Sequence, residues 1–110
     1  MEHNQTFLVH FFGANLVMGL IARVREPTTH REWDELSASL HGLEEIRDLS
    51  VGVMLATNIR RLLEEILELD TIPADVEWEY EFGARAKALL FKWNRRLVQE
   101  AIVLFGPTTN

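Results

Sequence analysis

The stretch Trp78-Glu-Tyr-Glu-Phe82-Gly-Ala-Arg-Ala86-Lys-Ala-Leu89-Leu-Phe-Lys-Trp93-Asn-Arg-Arg-Leu97-Val-Gln-Glu-Ala101-Ile-Val-Leu104 sets its apolar side chains three and four residues apart. That is the spacing of one face of a long α-helix. Glu77, Glu79 and Glu81 come early, while Arg85, Lys87, Lys92, Arg95 and Arg96 come later, the order in which charge offsets a helix macrodipole. A rival pattern sits at the start, where Val76, Trp78, Tyr80 and Phe82 alternate with the three glutamates at the period of a half-buried strand. Helix is preferred because Trp78 and Phe82 continue in phase into the downstream stripe. On the strand reading, Gly83 is the boundary.

Upstream, Asp70-Thr-Ile-Pro73 reads as a break and a restart. From Leu43 to Leu69 two apolar seams overlap, one of Leu55, Ile59, Leu62, Ile66 and Leu69, the other of Val53, Ala56, Leu63 and Leu67. The first has coiled-coil spacing over too few heptads to demand a coiled coil, and two seams predict contacts on two sides. Trp33, Leu36, Leu40 and Leu43 mark another helix. Its start is a capping box formed by Thr29 and Glu32, and Gly42 is expected to stop or kink it. In a first helix over 5–26, Asn15, Gly19, Arg23 and Glu26 fall on one narrow stripe, while Phe7, Leu8, Phe11, Phe12, Leu16, Val17, Met18, Leu20 and Ile21 cover most of the rest. A helix of that kind demands burial on every side, which a chain this short supplies poorly, so a second copy is expected to complete the cover.

The sequence therefore predicts an all-α, four-helix bundle-like single domain over residues 1–110, with helices near 5–26, 29–42, 43–69 and 74–105. Pro27 and Pro107 end the first and last of these. The alternative is α+β, with an N-terminal β-hairpin over 6–25 turning at Gly13-Ala14-Asn15 and a strand at 76–82. Length agrees with one domain: 110 residues with 47% hydrophobic content suit a single core that buries roughly 60 to 70% of the unfolded surface.

Composition narrows the function. A formal net charge of −6 opposes broad adhesion to nucleic acid or anionic lipid. With no cysteine, disulfides, thiolate metal sites and cysteine nucleophiles are excluded, which fits a cytoplasmic protein. Phe7 to Val24 is the most membrane-like run, but His10, Asn15 and Arg23 interrupt it, so no membrane association is expected. No basic segment precedes it in the manner of a signal peptide.

Chemical motifs are sparse. His3, His10, His30 and His41 are the histidines, and His41 with Glu45 has i, i+4 spacing, yet no second Glu-x-x-His set supports a bundle metal site. Neither a metal nor a cofactor is predicted. The carboxylates Glu44, Glu45, Asp48, Glu64, Glu65 and Glu68 read as a solvated face, with Arg60–Glu64 and Arg61–Glu65 as i, i+4 pairs. No catalytic residue is assigned.

The leading expectation is a small acidic protein-interaction module of the inhibitor, immunity or adaptor kind, homodimeric and without catalysis. Its interface is expected to draw on Trp33, Leu55, Ile59, Leu62, Ile66, Trp78 and Trp93, because aromatic and aliphatic anchors dominate interfaces. An alternative is a nucleic-acid-binding regulator using Arg60, Arg61, Arg85, Lys92, Arg95 and Arg96, a basic set that would serve an acidic protein partner equally well. A third is a helical ligand-binding protein or enzyme, which requires a polar pocket around a buried Arg or Glu.

Overall fold

A computed structural model describes residues 2–22 and 29–105. Helix α1 spans Glu2–Leu16 and continues as a π-helical turn, Val17–Ile21; α2 spans His30–Glu44, α3 Val51–Thr57, α4 Ile59–Glu68, α5 Ala74–Tyr80 and α6 Phe82–Phe105. The protein is all-α, and the described residues contain no strand. The hairpin at 6–25 and the strand at 76–82 are therefore not formed where they can be judged. Residues 23–26 of the expected first helix and its break at Pro27 lie outside the described residues, as does the end at Pro107.

The capping box at the start of α2 is present, with Thr29 Oγ1 accepting from Glu32 N at 3.3 Å. Gly42 does not end this helix, which runs on to Glu44. Its role is steric: a Cβ there would stand 2.6 Å from Cε1 of Phe12. The relation is reciprocal, since a Cβ at Gly19 would collide with Leu36. The N-terminal element, through its π-helical turn, and α2 thus each lend a glycine to a large side chain of the other, and α1 and α2 pack closely.

The expected helix 43–69 is three pieces. Leu43 belongs to α2, and the segment 45–50 is irregular but anchored by buried Ile46 and Leu49. Gln5 of α1 holds that segment, accepting from Ser50 N at 3.1 Å and donating to the Asp48 carbonyl at 3.3 Å. Ser50 then caps α3 by accepting from Val53 N at 3.1 Å. Asn58 adopts left-handed backbone (φ 55°, ψ 32°) and separates α3 from α4, a conformation that Asn tolerates better than most residues. The turn takes Leu55 out of line with the seam that follows it. Ile59 and Ile66 are buried, Leu62 and Leu69 pack against the core, and Leu55 faces solvent.

Left-handed backbone recurs at Glu81 (φ 57°), which divides the expected helix 74–105 into α5 and α6. Glu77 of α5 reaches across this corner, its carboxylate accepting from Gly83 N at 3.0 Å and Ala84 N at 3.4 Å. A carboxylate thereby satisfies the open amides at the start of α6, where the dipole favours negative charge. The buried face of α6, including Phe82, Ala86, Leu89, Leu90 and Trp93, packs mainly on α4 and α2. This core is continuous with Leu16, Leu20, Leu40 and Leu43 from the α1–α2 pair.

Candidate functional site

Burial divides the expected interface residues. Trp33, Ile59, Ile66 and Trp93 are core side chains, with Trp33 at 8% and Trp93 at 2% exposure, and Leu62 is half-buried against that core. Trp33, Ile59, Ile66 and Trp93 are covered by the chain's own helices, whereas Leu62 keeps part of its side chain exposed. A lone helical stripe cannot distinguish a face that meets another helix of the same chain from one that meets a second molecule. Leu55 and Trp78 are presented to solvent, Trp78 at 85%.

The basic set divides too. Arg85 faces inward. Its Nε donates to Glu44 Oε2 at 3.0 Å and its Nη2 to Glu44 Oε1 at 2.8 Å, while Ser37 Oγ, the Ser37 carbonyl and the Tyr80 carbonyl accept its remaining N–H groups. A guanidinium has five such donors, so none is left for a ligand. Glu44 is correspondingly held below the ordinary carboxylate range, chiefly by the Arg85 hydrogen bonds, with burial opposing. This pair ties α2 to α6; an ionised carboxylate with a saturated partner is not poised as a general acid. Arg60 donates to Asn94 Oδ1 at 2.8 Å, Arg61 pairs with Glu65 at 3.3 Å, and Arg96 lies 3.6 Å from Asp48 and 3.5 Å from Glu100. Lys92 and Arg95 stay in solvent, where the Arg95 guanidinium sits 6.0 Å from the Phe91 ring centre.

The outward side of α6 was not legible as a site. Ala84, Ala88, Phe91, Arg95, Val98 and Ile102 recur at 4, 3, 4, 3, 4 spacing, and all six are exposed. Phe91 is 66% exposed. This is a heptad seam opposite the buried stripe, with Lys87 and Lys92 along its edges by helical position. A shallow groove of about 310 Å³ is lined by Phe91, Asn94, Arg95, Val98 and Gln99. Next to it a cleft of about 330 Å³, shared with the 45–50 segment, is lined in part by Asp48, Leu49, Lys92, Trp93 and Arg96. The indole N–H of Trp93 is buried without a hydrogen-bond partner.

A second seam lies on α1, where Phe7, Phe11 and Ala14 are exposed and Met18 of the π-helical turn follows. The Phe7 and Phe11 rings stack at 6.1 Å with planes 13° apart. No Asp, Glu, Lys or Arg occurs between Asn4 and Ala22, so this stripe carries no acidic, lysine or arginine side chain, with exposed His10 and Asn15 at its edges.

His41 and Glu45 do share a face, with Nε2 2.8 Å from Oε1. Among the described residues, however, no three His, Asp or Glu are grouped to hold a metal. No helix among them is long and apolar enough to cross a membrane. No family model matches the chain, and no curated protein or solved structure matches it.

Proposed function

We propose that this protein is a stoichiometric protein-interaction module of the inhibitor, immunity or adaptor kind, acting without catalysis, in the cytoplasm, as a homodimer. The observation that carries the reading is the outward seam of α6. A 24-residue helix already buries one apolar stripe in the core and offers Phe91, Val98 and Ile102 to solvent on the other side. Large apolar side chains exposed along one helix face favour an interaction site, and an aromatic flanked by two concavities is a suitable anchor. The uncharged α1 seam supports self-association, because two copies meet there without burying like charges. Freedom from cysteine supports a reducing compartment.

The test is affinity capture from extracts of the source cells with the wild-type chain and with Val98→Asp/Ile102→Asp, followed by mass measurement of the recovered complex. A defined ratio of chains that the double variant loses supports the reading; a complex that the variant captures equally well counts against it. Nucleic-acid binding is a second reading, favoured by the free Lys92 and Arg95 side chains. It predicts an affinity that falls steeply with salt.

A further inference from the structure

We infer that the outer face of α6 docks an acidic amphipathic helix from another protein. The inference rests on the docking reading above and specifies the chemistry of the partner. Its first support is the spacing. A seam at alternating intervals of three and four residues fits a second helix laid along it, knobs into holes. From Ala84 to Ile102 it runs about 27 Å, the length of roughly 18 helical residues. The concavities beside Phe91 can accept side chains of the incoming helix on either flank.

The second support is charge. Among the described residues, Arg31, Arg61, Arg85 and Arg96 have carboxylate partners within the chain, whereas no carboxylate lies within ion-pair distance of Lys87, Lys92 or Arg95. Arg47 and Arg60 also have no carboxylate partner among the described residues, Arg60 bonding to Asn94 instead, but in a chain of net charge −6 Lys87, Lys92 and Arg95 together border one apolar seam. A matching helix with Leu or Ile on one face and Asp or Glu beside it would neutralise them and cover the seam together. The same face of a second copy would bring three more unneutralised cations alongside these three, so isologous pairing there is opposed by like charge. A nucleic-acid strand would meet the cations but would find a single exposed aromatic, Phe91, where strand-binding grooves line up several for successive bases, and would bury Val98 and Ile102 under phosphate and sugar.

The experiment uses fluorescence anisotropy with the full chain and three labelled helical peptides of about 18 residues, all with Leu at the two seam positions of each heptad. Their flanking positions carry Glu, Gln or Lys. A labelled single-stranded oligonucleotide is a fourth probe. The Glu peptide is expected to bind at least about tenfold more tightly than the Gln peptide, with the Lys peptide weaker still. Lys92→Glu/Arg95→Glu reverses that order, and Val98→Asp weakens the Glu peptide by about tenfold with helix content unchanged. Lys92→Gln/Arg95→Gln removes the preference without introducing new charge. Equal binding of the Glu and Gln peptides overturns the acidic partner and leaves the docking reading standing. Binding of none of the peptides overturns both. Tighter binding of the oligonucleotide, or a Val98→Asp-sensitive self-association in light scattering, overturns the inference.

Discussion

Arg85 and Glu44 form a two-pronged ion pair, with contacts of 3.0 and 2.8 Å, that fastens the last turn of α2 to the first turn of α6. Both side chains are largely covered, at 20% and 29% exposure. Removing one partner strands the other, so Arg85→Ala is expected to lower unfolding free energy by roughly 2 kcal/mol, less than for a fully buried pair because water still reaches this one. Arg85→Lys recovers little, since an ammonium cannot reproduce five planar donors. Denaturant melts of both single variants and the double variant check this, with a coupling of about 1 kcal/mol expected.

The same pair makes stability depend on pH on the acid side. Hydrogen bonding from Arg85 lowers the folded-state pKa of Glu44 below its ordinary 4.5. The stabilisation is therefore present above the unfolded value and is lost as pH falls through the lower, folded value. Melting temperatures measured from neutrality downward should fall less steeply below pH 4.5 in Glu44→Gln than in the wild type.

Tyr80 gives the opposite sign at the alkaline end. Its hydroxyl donates to Asp34 Oδ1 at 2.6 Å, and that hydrogen bond, with burial and the Asp34 charge adding to it, pushes its pKa up to about 12. A raised folded value means that the linked stability is complete below the ordinary value of 10 and disappears as pH rises through about 12. Tyr80 is the sole tyrosine, so tyrosinate absorbance reads it directly. Asp34→Asn should move the midpoint down towards 10, and an unchanged midpoint would show that Asp34 is not the cause.

Gly42→Ala ordinarily favours a helix by about 1 kcal/mol. Here the added methyl meets the Phe12 ring, and overpacking costs about 1 to 3 kcal/mol. A net loss of about 1 kcal/mol is expected, with part of it restored when Phe12→Leu makes room. Thermal unfolding of the single and paired variants measures both.

Phe11→Asp places a charge in the centre of the α1 seam. If copies meet there, light scattering over a dilution series should give a dimer for the wild type and a monomer for Phe11→Asp, with equal helix content. A dimer that survives the substitution places self-association elsewhere.

The all-α class was readable because the stripe through Phe82, Ala86, Leu89 and Trp93 is regular and long. Thr29 and Glu32 announced the start of α2 through local chemistry alone. The breaks at Asn58 and Glu81 were not readable, since the apolar period passes through both and each residue occurs freely within helices. Reading a straight rod through Asn58 kept Leu55 in line with Ile59, where the turn sends it to solvent. Arg85 looked like its exposed neighbours because nothing local to α6 says that Glu44 and Ser37 will stand opposite. The outward seam of α6 was hidden behind the stronger inner stripe, its middle taken by Arg95 and its upper half built of alanines.

The exchange of large side chains and glycines between α2 and the N-terminal element, α1 with its π-helical turn, also constrains how this sequence can drift. Phe12 needs the gap at Gly42, and Leu36 needs the gap at Gly19. Enlarging either glycine is tolerable only when its opposite number shrinks. In divergent copies of this chain the two sites of each pair should therefore change together, small on one helix whenever large on the other, leaving a correlated signature that would reveal the hairpin's register from an alignment alone.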